Sequence, residues 1–557
     1  MTASAAIPAL PRHFPYASAS QAAYVARVRS GAVRVTVDPD ELFRGELRPY
    51  QHVGVTTMAL TKRLVIADMT GLGKTVQTLR YLALLVRLGV VTPERPAFVV
   101  VPPNVLESSW LNDGFRVFVP ELPVQPLTGD VPPRERARIL QRSGTLVYLY
   151  NSPCFIRDQQ VILAAHPRTG VLIADEGSDF RNHSTRLAEA MTKFATTTDR
   201  RIVATATPVQ TSLMDLHSIL TVLGLEHVFG KRSAFRDRHF RTVLVERRIP
   251  GGRLIRRREP DRLNPHAHMD ELQRKLWPYY LRRTYRDLGP GEMPELSHRV
   301  EWLDLPASQR AIYERIRTGP KVQPGGGFNA RLRARATLLR QAATATRIVD
   351  HPRTDHSVKL DWLLARLTGD WTEGGVVESS TGARPTKVVV YSSWREGVMA
   401  TAARLDAAGI GFVVMAGEGD LPSGQPFPYG TPTSKREPLR KRFFEDGDCQ
   451  VCIGTSALEM GLNLHAAPVL VALDTLSNPA RMSQLVGRIW RASSPFRFVQ
   501  AIQLLTRGTV EEGILQVLAQ RQGVIDAVNG DTEDTDVLAS LTTAELERLV
   551  ATDWNHR

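Results

Sequence analysis

A phosphate-binding loop and a later pair of carboxylates are the residues of this chain that could do chemistry. Residues 71–75 read Gly-Leu-Gly-Lys-Thr after a short apolar run, and Asp175 and Glu176 follow a second apolar run. A glycine-rich turn lets backbone N–H groups approach phosphate oxygens, while paired carboxylates can hold a divalent cation and activate water. Together the two segments predict binding and hydrolysis of a nucleoside triphosphate.

The residues of these segments have distinct expected roles. Lys74 would reach the β- and γ-phosphates, and the Thr75 hydroxyl would coordinate Mg²⁺. Asp175 would hold the same ion through water, and Glu176 would orient and deprotonate the attacking water. A chance Gly-Lys-Thr triplet or a solvated Asp-Glu pair is the ordinary alternative for either motif alone. The predicted phosphate-loop residues are Asp68, which stands where the usual pattern has glycine, and Met69, Thr70, Gly71, Leu72, Gly73, Lys74 and Thr75.

Two regions in which strand and helix patterns alternate must position these residues. Apolar runs separated by helical patterns are typical of parallel sheets with crossover helices. The segment between the two regions has a helical and basic pattern, with a hairpin across 243–255. The strand-like runs are 64–67, 97–101, 146–150, 170–174 and 201–204 in the first region, and 387–391, 411–415, 450–454, 469–473 and 499–504 in the second. The pattern predicts an α/β fold with two parallel-sheet lobes.

The second region carries Gln484, Arg488 and Arg491 on a predicted helix, with the two arginines three residues apart and therefore on one helical face. Guanidinium groups can neutralise the charge that grows on a transferred phosphoryl group. An arginine supplied across a cleft would make hydrolysis depend on closure of the two lobes. The alternative is an ordinary surface helix in a chain rich in arginine.

Composition narrows the class of protein. The chain has 557 residues and 43% hydrophobic content, enough for several globular cores. Its formal net charge of +14 favours a polyanionic partner, although an arginine excess also fits a GC-rich genome. Three cysteines cannot build a disulfide framework, which favours a reducing compartment. No apolar run reaches the length of about eighteen residues that a membrane span needs, so we expect a cytoplasmic location, in a bacterial cell or a virus-infected host.

The order of these motifs resembles the superfamily-two helicase-like ATPases, and most closely their Swi/Snf-type branch of double-stranded DNA translocases. Residues 47–51, Leu-Arg-Pro-Tyr-Gln, resemble the nucleotide-specificity motif of that branch, in which the glutamine reads the adenine edge. The other similar segments are motif Ia at 100–103 with Trp110, motif III at 205–210, the stretch Leu281-Arg282-Arg283, motif IV at 387–392, motif V at 455–464 and motif VI around Arg488 and Arg491.

The resemblance implies two RecA-like parallel-sheet lobes with helical protrusions between and around them, and ATP with Mg²⁺ as the bound nucleotide. The residues that it implies are Arg48, Gln51, Asp175 and Gln484 together with the phosphate loop for the nucleotide, Thr75 and Asp175 for the metal, and Lys74, Glu176, Arg488 and Arg491 for catalysis. The predicted boundaries are 1–44 for an N-terminal extension, 45–208 for the first lobe, 209–356 for helical protrusions and connecting segments, 357–520 for the second lobe and 521–557 for a C-terminal helical tail.

The same resemblance implies a near-minimal bacterial or viral motor that hydrolyses ATP to move along double-stranded DNA without reading its sequence, in replication, recombination, repair or displacement of bound protein. The basic cluster formed by Arg247, Arg248, Arg253 and residues 256–258 would grip the duplex, or would form a solvated hairpin. Three alternatives stay open: a strand-separating helicase acting on DNA or RNA, the motor subunit of a restriction or defence assembly, and a non-enzymatic nucleic-acid-binding protein. The complete set of hydrolytic residues opposes the last.

The sequence departs from the family pattern at positions that bear on the coupling of ATP hydrolysis to movement rather than on hydrolysis itself. Met69 and Thr70 replace a usual Glu-Met pair, Ser178 replaces a usual histidine, and Ala206 replaces a usual glycine. None of these changes removes a group that hydrolysis requires. We therefore expect an active ATPase.

Overall fold

The chain divides into two compact units, Met1–Gly289 and Pro290–Arg557. We describe each unit by itself from a computed structural model. The structure describes residues 42–142, 144–177, 183–206, 208–209, 213–248, 254–260, 267–288, 291, 293–319, 328–350, 354–369, 387–421, 426–459, 462–475, 479–516 and 549–550.

The first unit is built on a seven-stranded sheet in the order β3-β4-β2-β5-β6-β1-β9, in which every pair of neighbours is parallel. Its strands read as continuous apolar runs because both faces are buried. The strands are β1 Arg63–Ile66, β2 Ala97–Val101, β3 Val124–Leu127, β4 Val147–Asn151, β5 Val171–Asp175, β6 Arg201–Ala204 and β9 Tyr280–Leu281, with β7 Thr242–Arg248 and β8 Leu254–Pro260 forming a separate pair.

Successive residues of these strands alternate between two apolar cores. In β1 and β2, Val65 and Phe98 belong to the core on one face, whereas Leu64 and Val99 belong to the core on the other face. This period of two is the geometry of a strand with both faces covered by helices. The covering helices are α1 Pro49–Thr61, α2 Lys74–Arg87, α3 Pro133–Gln141, α4 Ser152–Ala165, α5 Arg186–Phe194, α6 Leu213–Val222, α7 Glu226–Phe229, α8 Arg232–His239 and α9 Met269–Leu276, with a π-helix at Leu106–Phe115.

The predicted hairpin is present as an antiparallel ribbon of β7 and β8, in register from Thr242 opposite Pro260 to Arg248 opposite Leu254. Its base is closed where the Ala267 N–H donates to the His239 carbonyl at 2.9 Å. The structure places the backbone of the basic cluster on this ribbon, except for Arg253, which lies outside the described residues. The proposed grip of this cluster on DNA stays a prediction.

The second unit is built on a six-stranded parallel sheet in the order β10-β15-β14-β11-β13-β12. Its strands alternate between two further cores in the same way, with Val388 in one and Val389 in the other. The strands are β10 Glu295–Asp304, β11 Val388–Tyr391, β12 Gly411–Met415, β13 Cys449–Gly454, β14 Val469–Ala472 and β15 Phe498–Arg507. The helices are α10 Ala307–Thr318, α11 Phe328–Thr344, α12 Arg347–Asp350, α13 Val358–Thr368, α14 Arg395–Ala407, α15 Thr433–Glu445 and α16 Pro479–Ile489.

These observations confirm the predicted fold class of an α/β chain with two parallel sheets. Each predicted apolar run coincides with a strand, whereas β3, β9 and β10 were not predicted. Strand β10 lies inside the segment that was predicted to be helical, and it pairs along its whole length with β15. Charged residues interrupt its sequence and none of its residues is buried, so no continuous apolar run indicates the strand.

The structure leaves two of the predictions, the C-terminal helix and the domain boundaries, largely open. Of the predicted C-terminal helix, only residues 549–550 are described, and they are helical. The five predicted domain boundaries stay a prediction. In the part of the chain that the structure describes, we find no helix long and apolar enough to cross a membrane.

Candidate active site

The phosphate loop lies between β1 and α2, as predicted. Gly71 and Gly73 have φ angles of 86° and 74°, in the left-handed region that glycine adopts readily. A Cβ atom added to Gly73 would lie 2.4 Å from Nε2 of Gln51. Glycine at residue 73 suits the left-handed backbone, and an added side chain would displace the end of the Gln51 side chain. Helix α2 begins at Lys74, so the loop leads directly into a helix N-terminus.

Side chains from α1 hold the loop at Leu72. The Tyr50 hydroxyl and the Gln51 amide both donate to the Leu72 carbonyl, at 3.2 Å and 3.3 Å. The Gln51 side-chain oxygen accepts from the Arg48 backbone N–H at 2.9 Å. The segment that resembles a nucleotide-specificity motif is thus attached to the phosphate loop.

Lys74 and Asp68 face different partners. The Lys74 Nζ donates to the Asp68 carbonyl at 2.7 Å and to the Met69 carbonyl at 3.4 Å. The Asp68 carboxylate is fully buried and accepts hydrogen bonds from Gln77 and Arg283. The backbone of Asp68 therefore faces the lysine of the loop, whereas its side chain belongs to a buried cluster.

The carboxylate pair lies at the carboxyl end of β5, the edge at which open α/β sheets bind ligands. The indole Nε1 of Trp110 donates to Oδ2 of Asp175 at 2.7 Å, and the Glu176 N–H donates to Oδ1 at 3.0 Å. Burial of the carboxylate and the negative charge of Glu176 raise the pKa of Asp175. The hydrogen bond from Trp110 and the positive charge of Lys74 act in the opposite direction but do not outweigh them. The loop and the carboxylate pair lie at the same edge of the sheet, because Ala204 of β6 pairs with Ile66 at the end of β1 and with Asp175 at the end of β5.

Two features of this strand end were not predicted from the sequence. Trp110 is 1% exposed and lies on the π-helix, so its indole is held in place by burial. Glu176 has a backbone φ angle of 54°, which residues other than glycine rarely adopt. Such strain concentrates at functional sites. Trp110 had been assigned to motif Ia, but nothing in the sequence links it to Asp175.

The residues at this site fit a magnesium ion in their donor chemistry. Thr75 offers a hydroxyl at the start of α2 and Asp175 offers a carboxylate, and Mg²⁺ prefers oxygen ligands. Each carboxylate oxygen of Asp175 accepts one hydrogen bond from the protein and keeps further lone-pair capacity. Thr75 and Asp175 could therefore share an ion with a bound phosphate.

In the second unit, Gln484 and Arg488 lie on α16, but the helix ends at Ile489 and Arg491 follows it, so the two arginines do not share a helical face as predicted. The Arg488 Nε donates to the backbone carbonyl of Glu459 at 3.1 Å, and the Arg491 Nη2 donates to the Leu462 carbonyl at 3.4 Å. Both arginines thereby contact the segment that resembles motif V. The motif VI residues are anchored to motif V within one unit.

The Glu459 carboxylate has its own partners. Its oxygens accept two hydrogen bonds from Arg481, at 2.7 Å and 2.9 Å, and one from the Tyr391 hydroxyl at 2.7 Å. Sequence reasoning named Glu459 as part of motif V but missed Arg481. The motif residues that lie outside the described part of the chain are Ser178, Thr207, Gln210, Met460 and Gly461.

Comparison with known families gives two matches. The SNF2-related domain matches residues 50–354, more than half of the chain, and the helicase conserved C-terminal domain matches residues 376–493. These two matches contain nearly all of the motif residues named above.

Individual relatives are distant. The chain is 25% identical over 519 residues to a probable ATP-dependent DNA helicase, CHR12 of Arabidopsis thaliana, covering 90% of this chain and 44% of the relative. It is 24% identical over 526 residues to a putative ATP-dependent helicase/translocase, YwqA of Bacillus subtilis, covering 91% and 51%. The chain thus spans about half the length of these curated relatives.

A solved structure is also similar, the Sulfolobus solfataricus SWI2/SNF2 ATPase core in complex with dsDNA. It shares 20% sequence identity and a TM-score of 0.39, covering 92% of this chain and 98% of that chain. The family assignment does not depend on this similarity, because the SNF2-related domain matches more than half of the chain. The chain belongs to the SNF2-related family of helicase-like proteins.

Proposed function

We propose that this protein is an ATP-dependent motor that moves along double-stranded DNA. The observation that supports the proposal is that the loop leading to Lys74 and the pair of Asp175 and Glu176 follow β1 and β5 at the same edge of the first unit's sheet. A lysine at a phosphate loop and a carboxylate pair at the same edge of the sheet are the groups that phosphoryl transfer to water requires.

Each group has a role in hydrolysis of the terminal phosphate. Lys74 binds the phosphates, and the backbone N–H groups of the loop and the start of α2 orient them. Glu176 accepts a proton from the attacking water, whose oxygen bonds to the γ-phosphorus as the bond to the leaving ADP oxygen breaks. Mg²⁺ held by Thr75 and Asp175 would supply charge neutralisation of the phosphate oxygens. Gln51, fixed against Leu72, would select adenine.

The second unit would contribute Arg488 and Arg491 to the same reaction. In phosphoryl transfer generally, an arginine added to the site raises kcat by about 10³-fold or more because it neutralises charge in the transition state. If these arginines take part in the reaction, hydrolysis requires residues of both units. Gln484 on α16 would contribute to nucleotide binding.

Double-stranded DNA is the proposed track. The relatives named above are described as a DNA helicase and as a helicase/translocase, and a formal net charge of +14 suits a phosphate backbone. Contacts to phosphates position a protein without reading sequence, so binding is expected to be independent of sequence and to weaken steeply with salt. The ribbon of β7 and β8 is a proposed contact for the duplex. A motor of this kind works where ATP and DNA are both present, and the cytoplasm stays the proposed location.

The decisive experiment compares ATP hydrolysis by the full chain without nucleic acid and with single-stranded DNA, duplex DNA or duplex RNA, alongside the Lys74→Ala variant. We expect stimulation by duplex DNA that is absent in the variant and declines with added salt. Stimulation mainly by single strands or by RNA would instead favour a strand-separating helicase. Absence of hydrolysis under every condition would contradict the proposal.

A further inference from the structure

A buried ionic cluster contacts the phosphate loop through the side chain of Asp68. Asp68 is fully buried and Arg283 is 8% exposed. The Arg283 Nε donates to Oδ1 of Asp68 at 2.9 Å, and its Nη2 donates to Oδ2, so the pair is bidentate. Bidentate arginine–carboxylate pairs fix geometry as well as charge.

The cluster also includes Gln77 of α2. The Gln77 side-chain oxygen accepts from Nη2 of Arg283 at 2.7 Å, and its Nε2 donates to Oδ2 of Asp68 at 3.1 Å and to the Leu72 carbonyl at 3.3 Å. A Cβ atom at Gly54 of α1 would lie 1.9 Å from the Gln77 oxygen, so α1 packs directly on the cluster. The cluster therefore connects α1, α2 and the loop.

Arg283 reaches the nucleotide-specificity segment as well. Its Nη1 donates to the Tyr50 carbonyl, and its guanidinium carbon lies 5.2 Å from the centroid of the Tyr50 ring. Tyr50 in turn donates to the Leu72 carbonyl at 3.2 Å. One arginine side chain thus contacts both Asp68 at the start of the loop and Tyr50, the neighbour of Gln51.

The backbone around Arg283 runs alongside the loop. The Ala67 N–H donates to the Leu281 carbonyl at 2.7 Å, and the Met69 N–H donates to the Arg283 carbonyl at 3.0 Å. The Tyr285 hydroxyl then donates to the Thr70 carbonyl at 2.6 Å. Residues 281–285, which continue from β9, therefore form a strap along residues 67–70.

We propose that Arg283 is a positioning residue for ATP: it fixes the shape of the phosphate loop and the place of the adenine-reading segment relative to it. The inference rests on the proposed function, because it concerns the same nucleotide site. Arg283 is not proposed to touch the nucleotide. Its guanidinium holds Asp68, Gln77 and Tyr50 in one arrangement, so that ATP meets a loop already in its binding conformation.

The chain offers a matched control for this proposal. Arg136 and Asp158 form another buried bidentate pair in the first unit, in which Arg136 is 1% exposed and its Nη2 lies 2.8 Å from Oδ1 of Asp158. This pair joins α3 to α4 and makes no contact with the loop in the hydrogen bonds of the described residues. Replacing Arg136 removes a comparable buried arginine without changing the loop.

The test compares full-length wild type with Arg283→Met, Arg283→Lys, Asp68→Asn and Arg136→Met. The measurements are the dissociation constant for ATP by calorimetry, KM for ATP and kcat with duplex DNA, and the thermal midpoint. For Arg283→Met we expect ATP affinity to fall by about 10-fold to 100-fold, by analogy with the loss of partners that orient the ligands of a metal site. Arg136→Met should lower the thermal midpoint and leave the ATP affinity unchanged. Arg283→Lys should restore part of the affinity, because it keeps the charge without the bidentate geometry.

The outcomes separate this inference from the proposed function. If wild type binds ATP and Arg283→Met binds it equally well, the positioning role is wrong and the proposed function stands. An equal loss of ATP affinity in Arg283→Met and Arg136→Met would also overturn the role, because it would show a general effect of stability. Wild type that binds no ATP would overturn the proposed function and the inference with it. Should Arg283→Met not fold, the comparison of Arg283→Lys and Asp68→Asn with Arg136→Met decides in the same way.

Discussion

The indole Nε1 of Trp110 donates a 2.7 Å hydrogen bond to Oδ2 of Asp175, and thereby joins the π-helix at Leu106–Phe115 to the carboxyl end of β5. π-Helical turns occur frequently at functional sites. Here the π-helix presents a buried donor to the carboxylate proposed to hold Mg²⁺. The hydrogen bond leaves the orientation of that carboxylate fixed before any ligand binds.

Trp110→Phe should weaken the response of hydrolysis to Mg²⁺. Losing the donor removes an interaction that lowers the pKa of Asp175, so the carboxylate would become less acidic and less firmly oriented. We expect the Mg²⁺ concentration for half-maximal hydrolysis to rise by about 10-fold or more. A magnesium titration of ATPase activity measures this. Trp362→Phe, a change at a partly buried indole of the second unit, is the control that should leave the titration unchanged.

Gly73→Ala should reduce ATP binding by more than backbone strain alone explains. The new Cβ would collide with Gln51 and displace it from Leu72. Gly89→Ala is the matched control, because Gly89 has a φ angle of 65° but no atom within 4 Å of an added Cβ. Both variants should lose about 1–2 kcal/mol of stability from the left-handed backbone, measured by urea unfolding. Equal ATP affinities in the two variants would exclude a role for the Gln51 contact.

Glu459→Gln should lower kcat and leave KM for ATP nearly unchanged. Glu459 holds Arg481 and Tyr391 through its carboxylate and Arg488 through its backbone carbonyl, whereas the phosphate loop lies in the first unit. Loss of the carboxylate charge would loosen the segment that anchors the arginines, with an expected decrease in kcat of about 10-fold. Steady-state ATPase kinetics with saturating duplex DNA separate the two constants. A raised KM with unchanged kcat would contradict the assigned role.

The buried pair of Lys359 and Glu511 should dominate the acid stability of the second unit. Burial opposes ionisation of Glu511, but Lys359 and the hydroxyls of Thr475 and Thr506 outweigh it and lower the pKa. A carboxylate with a lowered pKa stabilises the fold above the pKa of the unfolded chain, about 4.3, and this stability is lost as pH falls through the folded value.

Removing one partner of this pair leaves the other charge buried, so Lys359→Met should cost about 3–5 kcal/mol at pH 7. Urea unfolding at pH 7 and pH 4 measures the free energy of unfolding. The double variant Lys359→Met/Glu511→Gln should recover part of the loss, since it buries no uncompensated charge. A single variant as stable as wild type would show that the pair contributes nothing.

The strands were the most predictable part of the fold. Strands β2 and β6 coincide with their predicted runs because buried parallel strands are continuous apolar segments. Strand β10 was missed because none of its residues is buried and several are charged, and its partner β15 lies far along the chain. Local pattern alone cannot indicate such a distant pairing.

Motif spacing predicted the site residues one by one but not the contacts between them. The ion pair of Asp68 and Arg283 joins residues 215 positions apart, and the hydrogen bond of Trp110 to Asp175 joins residues 65 apart. Both contacts depend on the order of the strands in the sheet, which local sequence patterns do not indicate. The available signal was Asp68 itself, which stands where the loop pattern usually has glycine. A carboxylate placed between a buried strand and a helix needs a basic partner.

Displacement of a third strand from triplex DNA tests the central claim most directly, because only a protein that moves along the duplex removes that strand without separating the other two. We predict release by wild type with ATP and Mg²⁺, no release with a non-hydrolysable analogue, and no release by Lys74→Ala. Hydrolysis stimulated by duplex DNA without release of the third strand would contradict movement along the duplex. Release accompanied by separation of the two duplex strands would contradict translocation without unwinding and would favour a helicase.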